Sequence, residues 1–183
     1  MKSRTPQGRF VLLGLLDIQE MTGYDLKQSI EQSVAHFWRE GYGQIYPALA
    51  EMEAEGLVAS RIEAHPGRPS RKIYSLLPAG RARLVNWLDE PALDQVPRNE
   101  LLLKLFFGRM APPETTRAHV MQKREHLLEE LKRYEMLRRA ITEDGSYPAD
   151  QRYWLMTLSY GEHVSRAELA WCEEVLTEVE EVA

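Results

Sequence analysis

Residues 57 to 77 constrain the fold most tightly: they read LVASRIEAH, then PGRPS, then RKIYSLL. In the second run Ile73 and Leu77 mark one face and Tyr74 and Leu76 the other, and a Pro-Gly turn signal joins the two runs. That is the pattern of a β-hairpin. Whatever precedes and follows it must pack against a two-stranded ribbon.

Three short helical patterns come first. FVLLGLL, from Phe10 to Leu16, reads as a buried helix; Lys2, Arg4 and Arg9 ahead of it imitate a secretory signal, but the run is short and Asp17 and Glu20 close it. MTGYDLKQSIEQS opens a second helix at Thr22, with Asp25 at the capping-box spacing and Leu26 and Ile30 facing inward. EGYGQIYPALAEMEAEGLV, 40 to 58, supplies the third: Ile45, Leu49 and Met52 fall at i, i+4 and i+7, and Gly56 ends it. A further helix begins near Pro78, which suits a first helical position.

Helix, helix, helix, strand, turn, strand is the order of a winged helix-turn-helix. In that arrangement the second helix of the motif lies in the major groove with its leading residues on the base edges. With Ile45, Leu49 and Met52 turned to the core, Gln44, Tyr46 and Pro47 point outward in the first turn, where a proline costs little because those N–H groups have no intrahelical partner. Gln44 matches adenine N6/N7, and Tyr42 and Tyr46 can reach phosphate or a thymine methyl. The acidic end of this helix, Glu51, Glu53 and Glu55, is expected to point away from DNA.

The formal net charge is -5, and a nucleic-acid partner has to be met by local rather than total charge. Residues 1 to 90 hold eleven basic and eleven acidic side chains, whereas 91 to 183 hold twelve and seventeen, so all the excess acid lies in the second half. Between Leu57 and Arg83 the balance is strongly positive: Arg61, Arg68, Arg71, Lys72, Arg81 and Arg83 against Glu63. An arginine between Gly67 and Pro69 is placed to enter the minor groove or clamp its phosphates.

The prolines of DEPALDQVPRN, 89 to 99, mark a junction, giving an expected DNA-binding domain over 1–90 and an all-helical domain over 91–183. In the second, 113 to 141 carries a stripe of Val120, Leu127, Leu131, Tyr134, Leu137 and Ile141, and 150 to 180 one that includes Leu158, Val164, Trp171 and Val175. Stripes wider than one neighbour needs are most simply covered by a partner helix and a second subunit, so Val120, Leu127, Leu131, Tyr134, Val164, Trp171 and Val175 are the expected dimer contacts. A two-fold dimer would set two reading helices roughly 34 Å apart on a palindrome. Trp38, Trp154, Tyr160 and His163 are candidates to line an effector pocket for a small aromatic acid.

Other classes lack support in the residues. The single cysteine, Cys172, excludes an intrachain disulfide and fits a reducing cytosol, the five histidines show no paired-ligand spacing, and no nucleophile-base constellation is visible, so neither an enzyme nor a metal or cofactor is expected. No segment has the eighteen or so apolar residues of a membrane span, which points to a cytoplasmic protein. The rival reading is a winged-helix adaptor that binds protein and not DNA.

The blocks LLGLL at 12–16, TGYDLKQSIE at 22–31, FWREGYGQIYPALAEMEAEGLV at 37–58 and GRPSRKIYSLLPAGRARL at 67–84 together resemble the winged-helix domain of the PadR family of bacterial transcriptional regulators. MTLSYGEHVSRAELAWCEEVL, 156–176, is more loosely similar to the longer members, those of the phenolic-acid-responsive repressor type. The resemblance implies a mainly α fold: an N-terminal winged helix-turn-helix with a small hairpin wing, and a C-terminal dimerisation domain of long helices. It further implies a homodimeric repressor on an inverted-repeat operator, released by a small molecule or other signal. Taken with the patterns above, the expected DNA-facing residues are Tyr24, Arg39, Tyr42, Gln44, Tyr46, Pro47, Arg68, Arg71 and Lys72. Gly41 and Leu77 depart from the family's usual Ser and Thr, removing two capping side chains.

Overall fold

A computed structural model of the chain describes residues 7–35, 37–38, 44–65, 68–92 and 98–182. They form seven α-helices and one antiparallel three-stranded sheet, divided into two compact units, Met1–Asp94 and Gln95–Ala183. The fold is mainly α, a winged helix followed by a helical region.

In the first unit, α1 (Gly8–Ile18) buries Phe10, Leu12, Leu13, Leu15 and Leu16. Around it gather α2 (Gly23–Gln32) through Leu26, α3 (Ile45–Ala54) through Ile45, Leu49 and Met52, and α4 (Pro78–Leu88), whose Trp87 stacks on Phe10 at 4.4 Å. Strands β2 (Val58–His65) and β3 (Arg68–Leu76) form the hairpin, in register from Val58↔Leu76 to Ile62↔Lys72, and bury Val58 and Tyr74. Arg68, Pro69 and Ser70, expected in the connector, belong to β3. A two-residue strand, β1 (Met21–Thr22), adds to the other edge of β3 through Met21↔Tyr74 and Thr22↔Ile73. No alternation can be read in two residues, so this strand has no sequence signature.

Helix ends follow local chemistry. Thr22 caps α2: its Oγ1 accepts from the Asp25 N–H at 3.1 Å, and the Asp25 carboxylate accepts from the Thr22 N–H at 3.1 Å. At the end of α3, Gly56 takes φ +70, which lets Leu57 N–H reach the Met52 carbonyl at 2.9 Å. Leu77 precedes α4 with no side-chain cap bond, and Pro78 opens the helix. Gly80 lies against the Leu57 carbonyl so closely that an added Cβ would overlap it.

In the second unit, α5 (Glu100–Phe106) and a 3₁₀ turn (Gly108–Met110) lead into two long helices, α6 (Pro113–Glu143) and α7 (Pro148–Val182). These run antiparallel. Val120, Leu127 and Tyr134, two heptads of α6, meet Leu158, Gly161, Ser165, Cys172 and Leu176 of α7. Gly161 lets the Tyr134 ring approach, since a Cβ there would come to 3.0 Å. Basic residues of α6 pair with acids of α7 along the seam: Lys123–Glu168 at 2.7 Å, Arg124–Glu173 at 2.6 Å, and Arg138–Glu162 through two bonds of 2.9 Å. The Arg138 guanidinium holds the Glu162 carboxyl below its usual range. Glu162, Glu168 and Glu173 of this acidic half therefore serve helix pairing.

Gly80→Ala is expected to lower the unfolding free energy by about 1–3 kcal/mol, because the new methyl group meets backbone. Gly14, with open space at its Cβ position inside α1, is the control: Gly14→Ala should stabilise by about 0.5–1 kcal/mol. Urea denaturation of both variants checks the pair, and a neutral Gly80→Ala would contradict the close packing of α4 on the Leu57 backbone.

Candidate nucleic-acid interface

The corner where α2 and α3 begin gathers the expected base-reading residues. Ile45, Leu49 and Met52 anchor α3, so its remaining sides face out: Gln44 and Pro47 are exposed, and Tyr46 is 61% exposed. Gln44 occupies the N-cap position of α3, but its side chain makes no cap bond and keeps its amide for other partners. Tyr46 is held by the neighbouring helix. Its ring lies against Gly23, where any Cβ would fall 2.5 Å from ring carbon Cε1. The capping box and the β1 pairing fix Gly23 in turn, so a chain of contacts from β3 through β1 and α2 orients the tyrosine. Tyr24, next along α2, is 67% exposed. Arg39 and Tyr42 lie outside the described residues.

On the wing, Arg71 and Lys72 project to opposite sides of β3. Arg71 is exposed and makes no ion pair among the described residues. Arg68 opens β3, and its side chain lies outside the described set. Lys72 differs from the free cation expected of it: its Nζ bonds Glu53 Oε2 at 2.8 Å and stands 5.0 Å over the Tyr74 ring. Ser60 Oγ donates to the other Glu53 oxygen. Lys72 first and Ser60 second hold the Glu53 carboxyl below its usual range, and Glu53 in turn raises Lys72.

This partnership was hidden in the count of charges along the hairpin, because the acids come from elsewhere in the chain. Arg61 pairs with Glu20 and Arg81 with Asp17 at 2.6 Å, while Arg9 holds Glu55 at 2.6 Å and draws its carboxyl down. Glu53 was nevertheless detectable. Tyr46, Ala50 and Glu53 fall at i, i+4 and i+7, on one side of α3, so Glu53 does not sit on a face remote from the leading tyrosine.

The second unit places the expected dimer contacts at different depths. Val120, Leu127 and Tyr134 are fully buried by α7 of the same chain, and Trp171 and Val175 pack against that core; Leu131 is half-buried, and Val164 is exposed. An apolar stripe says that it is covered, not by which helix. Uncovered apolar residues lie on α7 and before α6, with Met136 on α6. On α7 they are Tyr153, Met156 and Tyr160 with Val164, opposite the Leu158–Cys172 side; before α6 they are Leu102, Leu103, Phe106, Phe107 and Met110, the last 86% exposed.

The expected pocket residues are divided between the two units. Trp38 belongs to the first unit, where its indole N–H is buried with no hydrogen-bond partner among the described residues. In the second unit Trp154 packs on Tyr147 at 5.7 Å, while His163, nine residues on and so on the opposite side of α7, places Nδ1 2.7 Å from the Ser159 carbonyl oxygen. Tyr160 is 68% exposed. A cavity of about 370 Å³ opens instead between α5 and α6, lined by Leu103, Lys104, Phe107, Thr115, Thr116 and His119. Among the described residues no cluster of His, Cys, Asp and Glu is arranged to hold a metal ion, and no helix is long and apolar enough to cross a membrane.

Comparison with known proteins matches both units. Residues 12–86 fit the transcriptional regulator PadR-like family, and residues 97–180 fit the virulence activator alpha C-terminal family. A transcriptional regulator of Mycobacterium tuberculosis is 37% identical over 82 residues, 45% of this chain and 71% of that protein. The negative transcriptional regulator PadR of Bacillus subtilis is 25% identical over 178 residues, 94% of this chain and 97% of that one. The structure of Bacillus subtilis PadR in complex with operator DNA shares the fold, with a TM-score of 0.82 at 22% identity over 95% of this chain and 99% of that one. The same protein has been solved with p-coumaric acid, with a TM-score of 0.76 at 20% identity over 94% and 98% of the two chains. Residue blocks, wing topology and these likenesses agree: the chain belongs to the PadR-like family of transcriptional regulators.

Proposed function

We propose that this regulator binds double-stranded DNA as a homodimer on an inverted-repeat operator in the cytoplasm, acting as a repressor and not as an enzyme. The observation that carries this reading is the start of α3. Three buried apolar anchors leave an amide with no hydrogen bond among the described residues, a braced phenol and a proline on the surface. An amide that is neither buried nor spent on capping suits a base edge, and Gln44 is assigned to adenine. Tyr24 and Tyr46 are assigned to phosphate or thymine methyl groups, as is Tyr42, with Arg39, Arg68 and Arg71 on the backbone.

A second copy is assigned to the bare stripe of α7 and to α5. Exposed apolar side chains repeated along one side of a helix suit a contact site, and a two-fold dimer repeats the reading helix on the same side of the duplex. A small aromatic effector belongs to the same reading, and the cavity between α5 and α6 has a volume in the range such ligands occupy. The adaptor alternative has no observation in its favour.

Gel-shift titration against DNA from upstream of the regulator's own gene tests the assignment. Gln44→Ala should cost about 1–3 kcal/mol of discrimination between the operator and a variant altered at the contacted base. Arg71→Ala should weaken operator and random DNA alike; if the two substitutions act identically on random DNA, the division into reading and backbone contacts is wrong. For the dimer, replacing both Tyr160 and Val164 with Glu should shift sedimentation to the monomer and abolish tight operator binding at unchanged helicity. A dimer that survives this pair of changes would move the interface off α7.

A further inference from the structure

We propose that Glu53 is an internal counter-ion that keeps Lys72 off the DNA backbone and so holds down binding to non-operator sequences. The inference rests on the DNA-binding reading above and adds a residue that sets its specificity. Glu53 leaves α3 on the side occupied by Tyr46, about 10 Å further along the axis, and so beside the surface assigned to DNA. Its two carboxylate oxygens are occupied by both strands of the wing, Ser60 of β2 and Lys72 of β3. The pair is half-exposed, with side-chain accessibilities of 46% for Lys72 and 34% for Glu53, so a phosphate can approach the ammonium.

Charge decides what happens on approach. A lysine that touches phosphate releases a condensed counterion, which drives sequence-independent affinity. Here the ammonium's charge is already cancelled by Glu53, so the intact pair brought to a phosphate neutralises nothing and displaces no condensed cation. Moving the ammonium alone to a phosphate would leave the Glu53 carboxylate unpaired beside a polyanion, and like charges at close range repel. The Lys72–Glu53 pair is thus worth keeping even though an exposed ion pair adds little to stability. The same economy recurs in Arg9–Glu55, Arg61–Glu20 and Arg81–Asp17, which leave Arg71 as a wing cation with no ion pair among the described residues.

The salt dependence of binding to a random-sequence duplex tests this, with thermal unfolding run alongside to confirm intact folding. Lys72→Ala alone, which leaves the Glu53 carboxylate uncompensated beside the polyanion, should weaken binding and make the slope of log affinity against log salt shallower. Glu53→Gln, which keeps an acceptor for Ser60, should steepen that slope by about 0.9 per subunit and raise non-operator affinity. Combining Glu53→Gln with Lys72→Ala should return the slope to its starting value. A slope in the double variant shallower than that of the unaltered chain would show that Lys72 already touches phosphate, and an unchanged slope in Glu53→Gln would show the pair to be only a brace; either overturns the proposal while leaving DNA binding in place. Failure of the unaltered protein to bind any duplex would remove the DNA-binding reading itself, and this inference with it.

Discussion

The seating of α3 in the core is the interaction on which the rest of the first unit depends. Ile45, Leu49 and Met52 are buried among residues of α1, α2 and the sheet, and removing one such side chain costs roughly 2–5 kcal/mol. That cost fixes the rotation of the helix about its axis. With rotation fixed, the positions of Gln44, Tyr46, Pro47 and Glu53 follow from the 3.6-residue period alone.

Rotation is not orientation of a side chain, and here a second constraint acts. Tyr46 is largely in solvent, yet its ring is braced by Gly23, which is positioned by the capping box and by the short β1–β3 pairing. A phenol braced on one side has less rotamer freedom to lose when it meets DNA. The buried face thus supplies stability, and backbone geometry around Thr22 and Gly23 supplies preorganisation.

Electrostatics links the two units in kind without linking them in space. In each, acids are placed against bases from a different element: Glu53, Glu55, Glu20 and Asp17 in the first, Glu162, Glu168 and Glu173 in the second. In the first unit these pairs temper a surface assigned to a polyanion. In the second they reinforce the register of α6 on α7, where close contact of Gly161 with Tyr134 already limits sliding. One residue chemistry serves discrimination in one place and alignment in the other.

Periodicity and punctuation in the sequence determined the three helices, the hairpin, the capping box at Thr22, the glycine end of α3 and the outward turn of Gln44, Tyr46 and Pro47. These are local, set by residues within a few positions of one another. What lay beyond reach was every partnership between distant segments: that β1 joins β3, that α7 of the same chain covers Val120, Leu127 and Tyr134, that Trp154 and His163 diverge, and that Glu53 engages Lys72. Helical spacing reports which face of a helix is apolar or charged, but the neighbour that satisfies that face is chosen by the packing of the folded chain.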